Sequence, residues 1–169
     1  KDIKLNLSSI LTEEGSPDLS MVQIAGIALA VSYAIKHKEL ISHILSAAKE
    51  YLNEAEIHAA QSAAAIMGMN NIYYRAIHLA ENKELSAMPA NLRMNGLIHH
   101  GIDKVDFELF ALAVSAINGC GLCVHSHVKQ LLEHSVTKIA IQSVLRLAAT
   151  LNALVTAYGC IDDNCNLEI

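Results

Sequence analysis

The residues that could carry chemistry lie close together in the stretch FELFALAVSAINGCGLCVHSH, which covers residues 107–127. It contains Cys120 and Cys123 as a Cys-x-x-Cys pair, and His127 follows four residues after the second cysteine. In a chain with no secretory signal, two thiols at this spacing are typical of redox or metal chemistry rather than of a structural crosslink. Because the two thiols could close a disulfide within one helical turn, the pair could also transfer two electrons.

Helical spacing would place the two sulfurs and the imidazole on one face. Cys120, Cys123 and His127 are three, four and seven residues apart, which are the separations that share a helix face. His127 could then accept the proton of Cys123 directly or through a water molecule. Cys120 would lie in the first helical turn, where free N–H groups and the helix dipole stabilise a thiolate. The helix position therefore favours Cys120 as the more acidic thiol and the histidine spacing favours Cys123, and both assignments stay open.

Glu108 is the carboxylate that could complete a proton relay. In Phe107–Ile117 the only polar residues are Glu108 and Ser115, and the other nine are apolar. A carboxylate on so apolar a helix is expected to be buried, and a buried charge is costly unless it has a partner. A carboxylate behind an imidazole fixes its tautomer and raises its basicity, so His127 is the natural partner. The pattern predicts a Glu–His–Cys relay. The alternative is that Glu108 faces solvent at the edge of the helix.

The composition indicates one apolar helical domain. The chain has 169 residues, of which 53% are hydrophobic, 17% charged and only 4% aromatic, and its mean hydropathy is +0.33. A core of small aliphatic residues suits closely packed helices, since alanine is the best helix former. Part of the apolar surface is expected to lie between subunits. A net charge of −5 and a pI near 6.0 argue against a nucleic-acid partner.

The hydrophobic period is helical from Asp18 to Ile169 and strict alternation is missing, which predicts an all-α fold. Gly159 is expected to end the last helix. The expected helices cover residues 19–35, 39–52, 54–67, 71–81, 103–117, 120–134, 137–147 and 148–158, with a loop at 82–90 and a short helix or turn at 92–99.

Neither a membrane span nor an export signal is expected. The longest nearly uncharged run, Met21–Ile35, has about fifteen residues, which is short of the roughly 20 that a spanning helix needs. It is therefore interpreted as a buried or interface helix. The start of the chain, KDIKLNLSS, has no basic segment followed by an apolar one, so a cytoplasmic protein is expected.

The two halves of the chain look related. The segment at 28–32 recurs at 111–115, and Gln61-Ser62 and Asn71 match Gln142-Ser143 and Asn152 at an offset of 81 to 83 residues. A repeat of this length predicts one domain over residues 1–169 with approximate half-repeats 18–99 and 100–169 and the active site in the second. The alternative is chance similarity in an Ala-rich sequence.

The order Glu, eleven residues, Cys-x-x-Cys, three residues, His resembles the active-site signature of the alkyl hydroperoxidase D (AhpD) family, within the carboxymuconolactone decarboxylase superfamily. The segments at 71–75, 88–95, 103–109 and 113–120 are also similar to that family's conserved blocks, so the resemblance covers roughly residues 70–130. It implies an all-helical, AhpD-like fold with an internal repeat. It also implies a homo-oligomer, either a trimer or a hexamer built as a dimer of trimers.

The resemblance further implies a thiol-dependent peroxidase that reduces alkyl or other organic hydroperoxides in antioxidant defence. Cys123 would be the peroxidatic thiol that becomes a sulfenic acid, and Cys120 would resolve it to a disulfide. Glu108 and His127 would deprotonate Cys123 through a water. Cys120 is then expected to be better placed for an incoming partner. A reducing partner protein with a dihydrolipoyl group or a thioredoxin-like dithiol would restore the pair, with no metal or haem.

Two positions depart from the family pattern, and they keep other functions open. Some members carry a second histidine just before the second cysteine, where this chain has Leu122, and Val128 stands where acidic residues are common. Either change could leave a general disulfide oxidoreductase without efficient peroxidase turnover. A zinc site built from the two thiols, the imidazole and the carboxylate is a second alternative. The third is a non-redox decarboxylase-type member, although those lack the cysteine pair.

The remaining reactive side chains show no such pattern. His125 should lie on a different helix face from His127 and is expected at the surface. Cys160 and Cys165 are expected to be free thiols in a reducing compartment. The acidic tail 162–168 is interpreted as a solvated end. Surface or core positions without ligand spacing are expected for His37, His43, His58, His78, His99, His100 and His134.

Overall fold

The fold is described from a computed structural model that covers the backbone of residues 1–162 and the side chains of residues 1–160. Every regular element in this part of the chain is a helix, so the all-α prediction is confirmed. The elements are α1 (Asp2–Ile10), α2 (Met21–Ile35), α3 (Lys38–Ala48), α4 (Glu54–Leu79), α5 (Lys83–Ala87), a 3₁₀ helix (Asn95–Leu97), α6 (Lys104–Ile117), α7 (Gly121–Glu133) and α8 (Lys138–Asp162).

Helices α2 and α6 form the centre of the core. In α2 nine consecutive residues are buried, Ile24–Ser32, and in α6 the seven residues Leu109–Ser115 are buried together with Phe107. The two helices pack against each other, and both also pack against α4 and α8. Gly26 makes the close approach possible, because a Cβ at this position would lie 2.1 Å from the Phe110 ring. The expectation that Met21–Ile35 is a buried helix is therefore confirmed.

Side-chain caps explain where the site helices begin. Asp103 accepts a hydrogen bond from the backbone N–H of Val105 and starts α6, as the sequence predicted. Helix α2 was expected to begin directly after Asp18 but begins at Met21, two residues later. Asp18 adopts φ +65°, and Ser20 forms a capping box with Gln23, so the helix begins after Ser20.

The predicted break within residues 67–71 is wrong, because α4 runs unbroken over Glu54–Leu79. Asn70 and Asn71 have low helix propensity, but both are buried, and tertiary packing overrides that weak preference. The predicted break at 147–148 is also wrong, because leucine and alanine favour the helix and both residues are buried within α8. Gly159 lies inside α8 and does not end it.

The other differences are at the edges of the fold. Helix α1 precedes the region expected to be helical, α5 lies in the segment expected as a loop, and α3 ends at Ala48 rather than near Leu52. The short turn expected at 92–99 is the 3₁₀ helix, and α7 ends at Glu133, close to the predicted His134.

Helix α8 meets the length and composition expected of a membrane span. Over Lys138–Cys160 it reaches a mean hydropathy of 1.5, and it is the one helix of residues 1–162 to do so. This property was not predicted, because the expected break at 147–148 divided α8 into two short helices. Helix α8 packs against α1, α2, α6 and α7, and its residues Val144, Leu147 and Leu151 are fully buried, as in a core helix.

The helix bounds agree with the proposed repeat. The starts of α2 and α6, of α3 and α7, and of α4 and α8 differ by 83, 83 and 84 residues respectively. These offsets match the spacing of the similar segments at 28–32 and 111–115. They support an internal duplication, which stays a prediction.

Candidate active site

The turn between α6 and α7 places the two cysteines. Gly119 adopts φ +65°, a left-handed conformation that glycine accepts without strain, and the N–H of Cys120 bonds to the carbonyl of Ser115 at 3.2 Å. Helix α7 then begins at Gly121 with Cys120 as its N-cap, and Sγ of Cys120 accepts a hydrogen bond from the N–H of Cys123 at 3.3 Å. The turn therefore fixes the Cys120 sulfur at the positive end of α7.

Cys120 and Cys123 are joined by a disulfide in this structure. Cys120 is fully buried, whereas Cys123 is 8% exposed and lines a cavity. The expectation that Cys120 is the better placed cysteine for an incoming partner stays a prediction, although Cys120 is the less exposed of the two in this disulfide form. The sulfur that reaches the cavity belongs to Cys123.

Glu108 and His127 form a close pair across α6 and α7. Oε2 of Glu108 lies 2.7 Å from Nδ1 of His127, and the side chains are 19% and 13% exposed. Glu108 thus turns toward the imidazole and not to solvent. The other ring nitrogen, Nε2, is 3.3 Å from Sδ of Met67 in α4. In this disulfide form no hydrogen bond within the described residues links His127 to Cys123.

The cavity beside Cys123 has a volume of about 320 Å³ and lies between α4, α7 and the segment that contains the 3₁₀ helix. Its wall is largely apolar, with thioether, aromatic and leucine side chains, and a few polar groups interrupt that wall. The lining residues are Met67, Asn70, Tyr74, Met94, Leu97, Leu122, Cys123, Ser126 and His127. A cavity of this composition suits a small molecule with an apolar body and one polar end.

Buried hydrogen bonds connect α4 to the turn that carries the cysteines. The Asn71 side chain donates to Oγ of Ser115 at 2.9 Å and accepts from Nδ2 of Asn118 at 3.0 Å. The Arg75 guanidinium donates to the carbonyl of Asn118. Oγ of Ser115 lies 3.6 Å from Sδ of Met67, which also contacts His127. This network holds the end of α6 in place immediately before Gly119.

Met67, Asn70 and Tyr74 are site residues that were not predicted from the sequence. They are spaced three and four residues apart and therefore share one face of α4. That spacing was visible in the sequence, but the predicted helices 54–67 and 71–81 separated Met67 from Tyr74 and left Asn70 in the break between them. A continuous helix through this segment would have placed all three together.

A second cavity, of about 270 Å³, lies against α3 in the first half of the chain. Counting back 83 positions from Leu122, Cys123, Ser126 and His127 of α7 gives the four α3 residues that line it, Glu39, Leu40, His43 and Ile44. Leu40 and Ile44 therefore stand where the second half has a thiol and the imidazole. This cavity has no counterpart of the dithiol site.

Two charged groups near the site have displaced pKa values. Burial against the Phe107 ring, 4.3 Å away in a stacked arrangement, lowers the pKa of His100, although the charges of Glu108 and Asp103 act in the opposite direction. Burial raises the pKa of Asp106, and its hydrogen bond from Gln23 partly offsets that rise. Both groups flank the first turns of α6, which carries Glu108.

The remaining expected residues are placed as follows. Within residues 1–160 no three His, Cys, Asp or Glu side chains are arranged as metal ligands, and the two thiols of the zinc alternative are joined in a disulfide. His125 is exposed, as predicted. Leu122 is 48% exposed and lines the cavity mouth. Cys160 forms no disulfide with another described residue, and Cys165 and nearly all of the acidic tail lie outside the described residues.

Comparisons with known proteins place the chain in a family. The pattern of the carboxymuconolactone decarboxylase family matches residues 83–158, which contain α6, α7 and most of α8. The chain is 52% identical over 154 residues to an alkyl hydroperoxide reductase AhpD of Coxiella burnetii, covering 91% of this chain and 87% of the relative. It is 47% identical over 159 residues to that of Maricaulis maris, covering 94% and 90%. The AhpD of Rhodopseudomonas palustris is 46% identical over 157 residues, covering 93% and 85%. The chain belongs to the AhpD family of alkyl hydroperoxide reductases, within the carboxymuconolactone decarboxylase family.

Proposed function

We propose that this chain is a thiol-dependent peroxidase that reduces organic hydroperoxides to alcohols, as part of antioxidant defence. One observation carries the proposal. A cysteine pair that forms a disulfide has one sulfur, that of Cys123, in an apolar cavity that the Glu108–His127 pair also borders. The names of the AhpD relatives support the same activity.

In the first step Cys123 is the nucleophile. His127 takes the thiol proton, and the sulfur lone pair forms a bond to the terminal oxygen of the hydroperoxide. The O–O bond breaks with its electron pair on the inner oxygen, which receives the proton from His127 and leaves as the alcohol. Cys123 is then a sulfenic acid. The sulfur has lost two electrons and the peroxide has gained two.

In the second step Cys120 resolves the sulfenic acid. The Cys120 sulfur attacks the Cys123 sulfur, the S–O bond breaks, and the hydroxyl leaves as water with the Cys120 proton. The disulfide present in this structure is the product. The assignment of Cys123 as peroxidatic rests on its access to the cavity and on the spacing of His127, because Cys120 is fully buried.

Glu108 acts by holding His127. A carboxylate only accepts hydrogen bonds, so its contact at 2.7 Å requires a proton on Nδ1 of His127 and leaves Nε2 as the basic nitrogen. Nε2 is the atom that contacts Met67, which lines the cavity together with Cys123. The base is therefore oriented toward the cavity, which is where the thiol proton must be taken up.

The reductant and the assembly are inferred from the family resemblance. A dihydrolipoyl group or a thioredoxin-like dithiol on a partner protein reduces the disulfide, in the reducing environment of the cytoplasm. The chain assembles as a trimer, or as a hexamer built as a dimer of trimers. Exposed apolar side chains support an assembly, among them Ile72, Leu79, Met88 and Ile98, which are 56%, 71%, 62% and 75% exposed.

The test is a steady-state assay with cumene hydroperoxide, tert-butyl hydroperoxide and hydrogen peroxide, each with dihydrolipoamide, thioredoxin or glutathione as reductant. Cys123→Ser should abolish peroxide consumption. Cys120→Ser should consume one equivalent and stop with a sulfenic acid that dimedone labels. The reverse result would reassign the two cysteines. Absence of turnover with every reductant, despite a disulfide that reduces and reforms, would favour a general disulfide oxidoreductase.

The disulfide oxidoreductase is the second candidate because Leu122 replaces the histidine that some family members carry before the second cysteine. Leu122 is half exposed at the cavity mouth and cannot transfer a proton. His127 is therefore the sole imidazole among the residues that line this cavity. Reduction of a disulfide-bonded model peptide in the absence of peroxide would distinguish this candidate from the peroxidase.

A further inference from the structure

The side chain of Asn70 carries an unused hydrogen-bond acceptor next to the proposed nucleophile. Asn70 is 4% exposed and lines the same cavity as Cys123 and His127. Its Oδ1 is buried and has no hydrogen-bond partner among the residues that the structure describes. It is the one buried side-chain oxygen or nitrogen of those residues in this condition. A buried polar atom without a partner is costly, so its presence calls for an explanation.

The adjacent residue shows that the arrangement is specific to Asn70. Asn71 is fully buried, and both ends of its amide are used, one on Ser115 and the other on Asn118. Asn71 therefore has a structural role, as a link between α4 and the end of α6. Asn70 lies one position earlier on α4 and lines the cavity with Met67 and Tyr74, and its Oδ1 has no hydrogen-bond partner among the described residues.

We propose that Oδ1 of Asn70 accepts a hydrogen bond from the terminal O–H of an organic hydroperoxide. This inference rests on the proposed function and assigns a residue that touches the substrate. A hydroperoxide has one donor, the O–H on its terminal oxygen, and Oδ1 can only accept. The apolar wall formed by Tyr74, Met94 and Leu97 would receive the organic group. The polar end of the molecule would then face Asn70, Cys123 and His127.

The hydrogen bond also fits the chemistry of the first step. Sulfur must attack the terminal oxygen, and the inner oxygen must leave with a proton from His127. A hydrogen bond from the terminal O–H to Asn70 distinguishes the terminal oxygen from the inner one and holds it near Cys123. The substrate is then already oriented for attack, which lowers the entropic part of the barrier. The O–H proton stays on the same oxygen throughout, so the sulfenic acid formed on Cys123 keeps this hydrogen bond.

Asn70→Leu is the decisive variant, because leucine has the same branching and the same number of side-chain heavy atoms but no acceptor. Three measurements on the reduced full-length protein separate the possible roles. They are the single-turnover rate with cumene hydroperoxide, the rate of alkylation by iodoacetamide, which needs the thiolate but offers no O–H, and the melting temperature. Asn152→Leu makes the same exchange on an exposed position of α8 and is the matched control. Asn70→Ala repeats the test if the leucine variant does not fold.

We expect Asn70→Leu to slow the hydroperoxide reaction about 10- to 100-fold while alkylation stays within about two-fold of wild type. The melting temperature should stay equal or rise, since an unpaired buried oxygen is removed. An unchanged peroxide rate in Asn70→Leu or Asn70→Ala would overturn the inference, and so would an equal loss in alkylation. If the wild-type protein itself is alkylated but does not react with any hydroperoxide, the proposed function fails and this inference fails with it.

Discussion

Oε2 of Glu108 on α6 lies 2.7 Å from Nδ1 of His127 on α7, so two helices that meet at a tight turn share one partly buried carboxylate–imidazole pair. The turn contains Asn118, Gly119 and Cys120, which means that the same backbone segment fixes both the pair and the first cysteine. A change in the angle between α6 and α7 would therefore alter the Glu108–His127 contact and the position of the cysteine pair together. Predictions about the site can therefore be tested by substitutions in the Glu108–His127 pair or in the cysteine pair.

Glu108→Gln should slow the reaction of the reduced protein with hydroperoxide about 10- to 100-fold, the loss typical of removing a carboxylate that orients a functional imidazole. Glutamine fits the same space, but its amide can present an N–H to Nδ1 of His127 and so favour the wrong tautomer. Stopped-flow single-turnover kinetics measure the effect. Glu133→Gln, on an exposed position of α7, is the control.

The pairing itself is tested by a double-mutant cycle. If Glu108 acts through His127, Glu108→Gln should cost little more once His127→Ala is present. If the rate losses of the two single variants multiply in the double variant, Glu108 acts independently of the imidazole. A single variant within two-fold of wild type would mean that the contact has no part in the reaction.

Asn71→Leu should lower the free energy of unfolding by about 1–3 kcal/mol, because it leaves the Asn118 amide without its acceptor and Ser115 without its donor. Asn70→Leu should leave that free energy unchanged or raise it. Urea denaturation followed by circular dichroism measures both, and each variant serves as the control for the other. Equal destabilisation by the two exchanges would contradict the division between a structural and a substrate-binding asparagine.

The chemical residues were predictable from the sequence because they lie within one short segment. Glu108, Cys120, Cys123 and His127 fall in two consecutive helices whose caps, Asp103 and Cys120, are local signals. Their relative placement follows from helical geometry and one turn. The contact between Glu108 and His127 could therefore be expected from the sequence alone.

The cavity wall could not be predicted in the same way. Met67 and Asn70 come from a helix that is distant in sequence from the cysteine pair, and the predicted helices 54–67 and 71–81 left a break within it. Burial of Asn70 and Asn71 stabilises the continuous helix, and burial is a property of the whole fold. The break predicted at 147–148 had no cap signal to support it, and Leu147 and Ala148 are buried inside the continuous helix α8.

Gly26→Ala should lower the free energy of unfolding by about 1–3 kcal/mol, the usual cost of adding a methyl group to a filled core. The new Cβ would lie 2.1 Å from the Phe110 ring, and both helices of this contact are central to the fold. Gly68→Ala is the matched control, because a Cβ there meets no atom within 4 Å and the position is exposed inside α4. That variant should be more stable by about 0.5–1 kcal/mol. Denaturant titration distinguishes the two, and a neutral Gly26→Ala would show that α2 and α6 can separate without loss.

His100 should make the protein less stable in mild acid. Burial lowers its pKa in the folded state below the usual 6.5, so between the two values the unfolded chain binds the proton more readily. Above pH 6.5 the lowered pKa of His100 has no effect on stability. As the pH falls from 6.5 through the folded-state pKa, the free energy of unfolding decreases. His100→Gln should therefore reduce the decline of the free energy of unfolding between pH 7 and pH 5.

His99→Gln changes the adjacent, exposed histidine and should leave the decline unchanged. Urea titrations of the three proteins at several pH values measure the difference, and parallel curves for His100→Gln and wild type would exclude His100 as its source.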